Sequence, residues 1–181
     1  MKKILVFLVI VSFSLTQLLA QESMFNKGEK VLNLGIGFGT SLYSGVGYTG
    51  VVPPLSASFE VGVVDNILEK GVIGVGGYLG FSSHKWTNYY KFTNIVIGPR
   101  GTFHYPLLEK LDTYTGLMIG YNISNSKWIG TGLEGNYSIS SGGVVSAWFI
   151  GGRYFFSDSF AAMLELGYGV AYLNLGVALK F

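Results

Sequence analysis

Apolar residues alternate with small or polar ones through most of the chain after residue 30. A period of two places successive side chains on opposite faces of a β-strand, and helical periodicity is nearly absent. Clusters of glycine, serine, asparagine, aspartate and proline interrupt the alternation and indicate turns. The pattern predicts eight strands, over about 30–41, 55–63, 72–83, 93–105, 113–123, 144–156, 160–168 and 173–181.

Each predicted strand has one apolar face and one small or polar face. In the second strand, Leu55 and Phe59 lie on the apolar face and Glu60 on the other. The sixth strand fits less well, because Phe149 and Phe155 fall on its polar side and make the alternation imperfect. A strand with one apolar face needs an apolar environment on that side only.

The composition indicates what that environment is. The chain is 49% hydrophobic and only 12% charged, whereas soluble domains carry roughly 25% charged residues. After the N-terminal segment, no apolar run approaches the roughly 20 residues that a transmembrane helix requires. Lipid admits only helices and closed barrels, because unpaired backbone groups are too costly there. The sequence therefore predicts an all-β fold, an eight-stranded antiparallel up-and-down transmembrane β-barrel.

The N-terminal segment has the features of a signal peptide. Lys2 and Lys3 precede a short apolar run, and Ala20 supplies a small residue for cleavage. The same two lysines account for the excess of 12 basic over 10 acidic residues, so the predicted mature chain is neutral and gives no sign of nucleic-acid binding. The predicted organisation is a signal peptide over 1–20, a short periplasmic segment over 21–29 and the barrel over 30–181.

An even strand count places both termini on one side of the membrane, which we predict to be the periplasm. Short connections over 65–71, 106–112 and 157–159 are then periplasmic. Connections over 42–54, 84–91, 124–143 and 169–171 face the outside. Outward aromatics near the periplasmic ends fit an interfacial girdle: Phe103, Tyr105, Tyr154, Phe156, Phe160 and Phe181.

Four charged residues have inward parity. Glu60, Arg100, Arg153 and Glu165 each lie about five or six residues from a predicted periplasmic turn, so a strand rise of about 3.3 Å per residue puts them in one layer of the lumen. Charges buried in so narrow a barrel must pair with one another. We interpret them as a structural plug, with a gate or proton path as the alternative.

The outer loops carry aromatic residues interleaved with Lys85, Lys91 and Lys127. Such residues either rest at the lipid headgroups, which we favour, or hold anionic sugars through stacking and cation–π contacts. The candidate surface contacts are Trp86, Tyr89, Tyr90 and Trp128.

Catalytic chemistry has little support in the sequence. There is no cysteine, and we predict neither a metal nor a cofactor site. His104 is expected in the lumen near the periplasmic end. His84 lies on an outer loop beside serines, yet no motif links it to an acid, so we predict that the protein is not an enzyme.

Several stretches resemble the OmpA/OmpX-like barrels, and in particular the outer membrane protein beta-barrel domain, or porin family, of Bacteroidota-type envelopes. They are residues 58–62, 74–80, 116–121 and 165–181. The resemblance implies a Gram-negative outer-membrane protein, and the C-terminal aromatic resembles the signal read by the barrel-assembly machinery. The residues assigned to that signal are Tyr172, Leu175, Val177, Leu179 and Phe181.

The expected function is that of an integral outer-membrane barrel with a largely side-chain-filled lumen, serving envelope structure or loop-mediated surface interaction. A narrow porin-like channel is the alternative, and a lipid-modifying enzyme is the less favoured one. We expect outer-membrane lipid and the assembly machinery as partners, an unidentified surface ligand, and a monomeric state.

Overall fold

Eight β-strands make up most of the structure, a computed structural model that describes residues 23–43, 45–130 and 138–181. The signal peptide predicted over 1–20 lies outside the described residues. The strands are β1 Lys30–Phe38, β2 Tyr48–Ile67, β3 Gly71–Trp86, β4 Tyr90–Leu108, β5 Leu111–Trp128, β6 Ser138–Phe155, β7 Phe160–Tyr168 and β8 Leu173–Lys180.

Each strand pairs antiparallel with its neighbours in chain order, and β1 pairs with β8 to close the barrel. The closing register runs from Val31 opposite Lys180 to Phe38 opposite Leu173. The prediction of an eight-stranded up-and-down barrel is therefore confirmed. We call the end that contains the start of β1 and the end of β8 the termini end, and the opposite end the loop end.

The side chains alternate between the lumen and the outer surface, as the sequence pattern predicts. The alternation of β6 is complete rather than imperfect: Phe149 and Phe155 are 7% and 1% exposed, whereas Trp148 and Tyr154 on the other face are 55% and 48% exposed. The lumen takes these phenylalanines because it is filled by side chains, apolar ones included, rather than by water alone.

Five strands are longer than the sequence pattern predicts. Strands β2 to β6 have 16 to 20 residues, whereas β1, β7 and β8 have eight or nine. Their excess length continues past the closed barrel at the loop end as a five-stranded sheet, which we call the extension. Much of the predicted loops over 42–54, 84–91 and 124–143 is therefore strand, because neighbouring strands supply hydrogen bonds that local sequence does not reveal.

The segment before β1 closes the termini end of the barrel. Phe25 is fully buried, and its ring lies 4.3 Å from that of His104. Lys180 Nζ donates to the carbonyl of Met24 at 3.0 Å and pairs with Glu29 at 3.2 Å. The described part of the predicted 21–29 segment is thus folded into the mouth of the barrel.

The outer surface of the barrel carries a broad apolar band. Large hydrophobic residues on the outward parity are exposed on every strand, among them Ile36, Phe59, Leu79, Ile97, Ile119, Ile150, Leu166 and Leu175. An exposed apolar surface of this extent marks a lipid- or protein-facing surface. Within the described parts of the chain, no helix has the length and apolar character needed to cross a membrane.

Candidate functional site in the barrel lumen

The deepest charge in the lumen belongs to Arg153 on β6. Its guanidinium donates to Glu60 Oε2 at 2.5 Å and lies 3.6 Å from Asp112 Oδ2. Arg153 and Glu60 are fully buried. The guanidinium also lies over the ring of Tyr114, 4.6 Å from the centroid. Arg153 therefore links the neighbouring strands β5 and β6 to β2, which lies across the barrel.

A second ion pair lies beside the first. Arg100 on β4 donates to Glu165 Oε1 on β7 at 2.7 Å and to Ser58 Oγ at 3.2 Å. Tyr114 donates its hydroxyl to the same Glu165 oxygen at 2.9 Å. The Arg100 guanidinium stacks over Phe149 at 4.1 Å, which explains why an aromatic residue occupies the lumen side of β6.

His104 connects the first pair to a third carboxylate. Its Nε2 lies 2.6 Å from Glu60 Oε1 and its Nδ1 lies 2.8 Å from Asp112 Oδ1. An imidazole donates from both nitrogens only when it is doubly protonated. In that form, three cations balance three carboxylates within a closed interior, where an uncompensated charge is costly. We call Glu60, Arg100, His104, Asp112, Arg153 and Glu165 the lumen cluster.

The four charges singled out from the sequence are members of this cluster, and they pair as Arg153 with Glu60 and Arg100 with Glu165. The sequence analysis missed Asp112, which it placed in the turn over 106–112. The structure begins β5 at Leu111 and turns Asp112 inward, 3% exposed. The even parity that Asp112 shares with inward Tyr114 and Met118 is the signal that could have found it.

Apolar layers enclose the cluster from both sides. Toward the termini end lie Phe25, Val31, Val72, Phe155, Ala161 and Ala178, all buried. Toward the loop end lie Val96, Met118, Phe149 and Val170, which pack with Tyr114. A cavity of about 40 Å³, large enough for one or two water molecules, lies between Arg100, Glu165 and Asn174.

The cluster includes an arrangement that superficially fits nucleophilic catalysis. The Thr102 hydroxyl lies 2.9 Å from His104 Nε2, and His104 Nδ1 faces Asp112. Thr102 also donates to Glu60, and it is only 5% exposed. Neither the cavity beside Arg100 nor the larger one at the loop end is lined by Thr102 or His104. Among the described residues, these groups form part of a buried hydrogen-bond network with Glu60.

The loop end of the lumen is polar but uncharged. Among the described residues, Asn94, Asn122 and Ser124 line it: Asn122 donates to Asn94 at 3.3 Å, and the Ser124 hydroxyl lies 2.8 Å from that of Tyr43. A cavity of about 440 Å³ opens beyond them, lined by Thr40, Tyr43, Tyr48, Pro53, Pro54, His84 and Tyr172 among others. His84 is 7% exposed, and the described residues that line this cavity include no carboxylate.

The predicted surface aromatics lie at the loop end, and their placement differs from a headgroup girdle. Trp86, Tyr90 and Trp128 have the inward parity of His84, on the face of the extension that continues the lumen. Tyr90 and Trp128 pack edge to face at 4.8 Å, and Tyr89 stacks on Trp128 at 5.4 Å. The aromatic residues therefore face away from the surface that continues the apolar band.

The residues assigned to the assembly signal lie on the outer surface. Leu175, Val177 and Leu179 on β8 are 37–41% exposed, and Phe181 is 67% exposed with its ring 6.1 Å from that of Phe59. Tyr172 lies just before β8. Their role in assembly stays a prediction.

Comparison with known proteins places this geometry among solved membrane barrels. The N-terminal β-barrel domain of Pseudomonas aeruginosa OprF matches with a TM-score of 0.52 and 11% identity, covering 86% of this chain and 98% of that one. Ail, the attachment invasion locus protein of Yersinia pestis, matches with a TM-score of 0.54 and 13% identity, covering 86% and 99%. The protein has the fold of an eight-stranded outer-membrane barrel.

The outer membrane protein OprG from Pseudomonas aeruginosa gives a similar match, with a TM-score of 0.52, 10% identity and coverage of 88% and 99%. These neighbours confirm the resemblance to OmpA/OmpX-like barrels at the level of the fold. No protein-family model and no curated protein matches the sequence. The expected Bacteroidota origin has no support in these comparisons.

Proposed function

We propose that the protein is an integral outer-membrane barrel with a filled lumen, which acts without catalysis in envelope structure or surface contact. The lumen cluster carries this proposal. Arg153 and Arg100 cross the interior to carboxylates on other strands, and the apolar layer around Phe25 closes the termini end. A barrel built in this way separates the two sides of the membrane instead of joining them.

The proposed orientation places the termini end in the periplasm and the extension outside. Short turns at the termini end, over 68–70, 109–110 and 156–159, support it, because such barrels have short periplasmic turns and longer external segments. A cleaved signal peptide over 1–20 and recognition of the β8 residues and Phe181 by the assembly machinery belong to the same proposal.

The extension supports the surface-contact half of the proposal. Strand β6 pairs with β7 only as far as Trp148 opposite Tyr168, so residues 138–147 have no β7 partner. This stretch contains no charge and no proline, the features that usually protect a free strand edge. Strand β2 has Pro53 and Pro54 at its corresponding edge. The β6 edge is therefore available to pair with an extended segment of a partner.

A planar-bilayer recording of the purified protein tests the filled lumen. We expect no stepwise conductance from the wild type. The matched double variant Phe25→Ala/Phe155→Ala removes two rings from the apolar layer at the termini end. If this layer closes the lumen, the variant should conduct more ions than the wild type. Open-pore conductance by the wild type would instead establish the narrow-channel alternative.

The enzymatic alternative has a separate test. His84 is the histidine that lines the loop-end cavity, so His84→Ala should leave the acyl pattern of the host's outer-leaflet lipid unchanged. A change in that pattern, with the protein still folded, would contradict the non-catalytic proposal.

A further inference from the structure

Three lysines lie side by side on the outer face of the extension. Lys85 on β3 is directly opposite Lys91 on β4, and Lys91 is directly opposite Lys127 on β5. Directly opposed residues place their side chains on the same face of the sheet, about 5 Å apart. We call Lys85, Lys91 and Lys127 the lysine row.

The charges of the described residues are segregated along the barrel axis. Every carboxylate in residues 23–43, 45–130 and 138–181 lies either in the lumen or near the termini end: Glu29, Glu60, Asp65, Glu69, Glu109, Asp112, Asp158 and Glu165. In this part of the chain, no member of the lysine row forms an ion pair. The loop end therefore has a localised positive charge that the described structure does not compensate.

Like charges directly opposed across strands are destabilising unless an anion offsets them. Neighbours of the row on the same face are uncharged: Thr49 is opposite Lys85, and Ser138 is opposite Lys127. The compensating charge must come from outside the described chain. Its source has to reach the outer face of the extension, not the aromatic inner face.

The row lies directly above the lipid-facing surface. Phe81, Ile95 and Ile123 form the last large apolar row of the outer face on the same three strands, and each is 38–47% exposed. A row of Ser83, Thr93 and Asn125 separates it from the lysines. Four residues of strand correspond to about 13 Å, and tilt and lysine flexibility bring the ammonium groups closer to the apolar edge. The headgroup layer extends roughly 5–8 Å beyond the hydrocarbon core, so the long lysine side chains can reach its phosphates from above.

We propose that the lysine row binds the phosphate groups of an anionic lipid of the outer leaflet, with a bisphosphorylated glycolipid as the best fit. Three cations spread over about 10 Å can contact two phosphates of one headgroup at once. The row lies one residue from the ends of β3, β4 and β5, on the outward face that continues the apolar band. This position on the lipid-facing side favours a membrane lipid over a soluble polyanion. The inference rests on the proposed function, because it requires the loop end to face outward.

The test uses the full mature protein, reconstituted in phosphatidylcholine nanodiscs containing a small fraction of bisphosphorylated lipid A or of its dephosphorylated form. The test variant is K85Q/K91Q/K127Q. The control variant K27Q/K30Q/K110Q removes the same charge from the termini end. Lipid that remains bound after detergent extraction is counted by native mass spectrometry.

The wild type and the control variant should retain the bisphosphorylated lipid and not its dephosphorylated form. Each lysine near an anionic surface adds its own share to the binding free energy. Loss of all three should therefore lower retention of the bisphosphorylated lipid by the test variant about 100-fold. Equal retention by the test variant would overturn the proposal, and so would an equal loss by the control. Soluble pyrophosphate that binds the row as tightly as the nanodisc lipid does would overturn the assignment to a lipid.

The gel mobility of unheated protein accompanies each measurement. A variant that keeps the heat-dependent shift is a folded barrel, so loss of lipid then concerns the row alone. Failure of the wild type to show the shift would contradict the barrel function itself. The two failures are therefore distinguishable.

Discussion

The two halves of this barrel differ in the polar groups that they bury. In the termini half all eight strands surround the lumen, and the interior holds a balanced set of charges between apolar layers. In the loop half the wall is reduced to β2–β6, and the described interior side chains include the neutral Asn94, Asn122 and Ser124, with Tyr43 and His84 at the cavity beyond them. Charge is buried where the wall is complete and exposed where the wall opens.

The difference follows from the cost of burying a charge. In the closed half a charge can be neutralised only by another side chain, so Arg153, Arg100 and His104 each meet a carboxylate. The open half adjoins a cavity of about 440 Å³, and its polar side chains are mainly neutral amides and hydroxyls, which cost less to bury than a charge does. The halves should therefore respond very differently to the same kind of substitution.

The largest effect is expected from Arg153→Ala. The substitution leaves His104 as the one cation beside two buried carboxylates, Glu60 and Asp112, which should lower the free energy of unfolding by about 3–5 kcal/mol. Urea unfolding in lipid vesicles, followed by gel mobility, measures it. As a control from the loop half, Lys85→Ala should change it by less than about 0.5 kcal/mol. A neutral Arg153→Ala would show that the cluster does not stabilise the barrel.

Phe25→Ala tests the apolar seal below the cluster. The ring is fully buried against His104 and Arg153, so its loss should cost about 3 kcal/mol through cavity formation. The same unfolding experiment applies. Phe38→Ala removes a ring of the same size from a 52% exposed position and is the matched control. Equal effects would mean that the N-terminal segment is not packed in solution as described.

Removing a whole ion pair should cost less than breaking it. Arg100→Ala alone leaves Glu165 buried and should cost about 3–5 kcal/mol, whereas Arg100→Leu with Glu165→Leu should cost less than about 1 kcal/mol. The double variant should therefore destabilise the closed half less than the single variant does. A double variant as unstable as the single one would indicate that Ser58 and Tyr114, which share hydrogen bonds with the pair, depend on it.

A small effect is expected in the loop half. Asn122→Ala removes a 3.3 Å hydrogen bond to Asn94, and both partners are uncharged, so we expect a loss of about 1 kcal/mol. Thr102→Ala removes a hydroxyl that donates to Glu60 in the closed half and provides the comparison. If Asn122→Ala proves the more damaging of the two, the division into a closed and an open half is wrong.

Much of the fold and part of the site could be predicted from local sequence. Period-two alternation identified all eight strands and put Glu60, Arg100, Arg153 and Glu165 in the lumen. Strand ends were less predictable: Asp112 was assigned to a turn, and the extension to loops, because serine- and asparagine-rich strands have no strong local preference. Phe149 looked misplaced until the structure put Arg100 against its ring.

By itself, the sequence determined which face each side chain takes, because parity along a strand is a local property of the backbone. Only the tertiary structure decided which residues meet across the lumen and along the sheet. His104 lies between Glu60 and Asp112, and Lys91 between Lys85 and Lys127, through the register of strands distant in sequence. Register depends on all the pairings of a closed barrel at once, and no single segment encodes it.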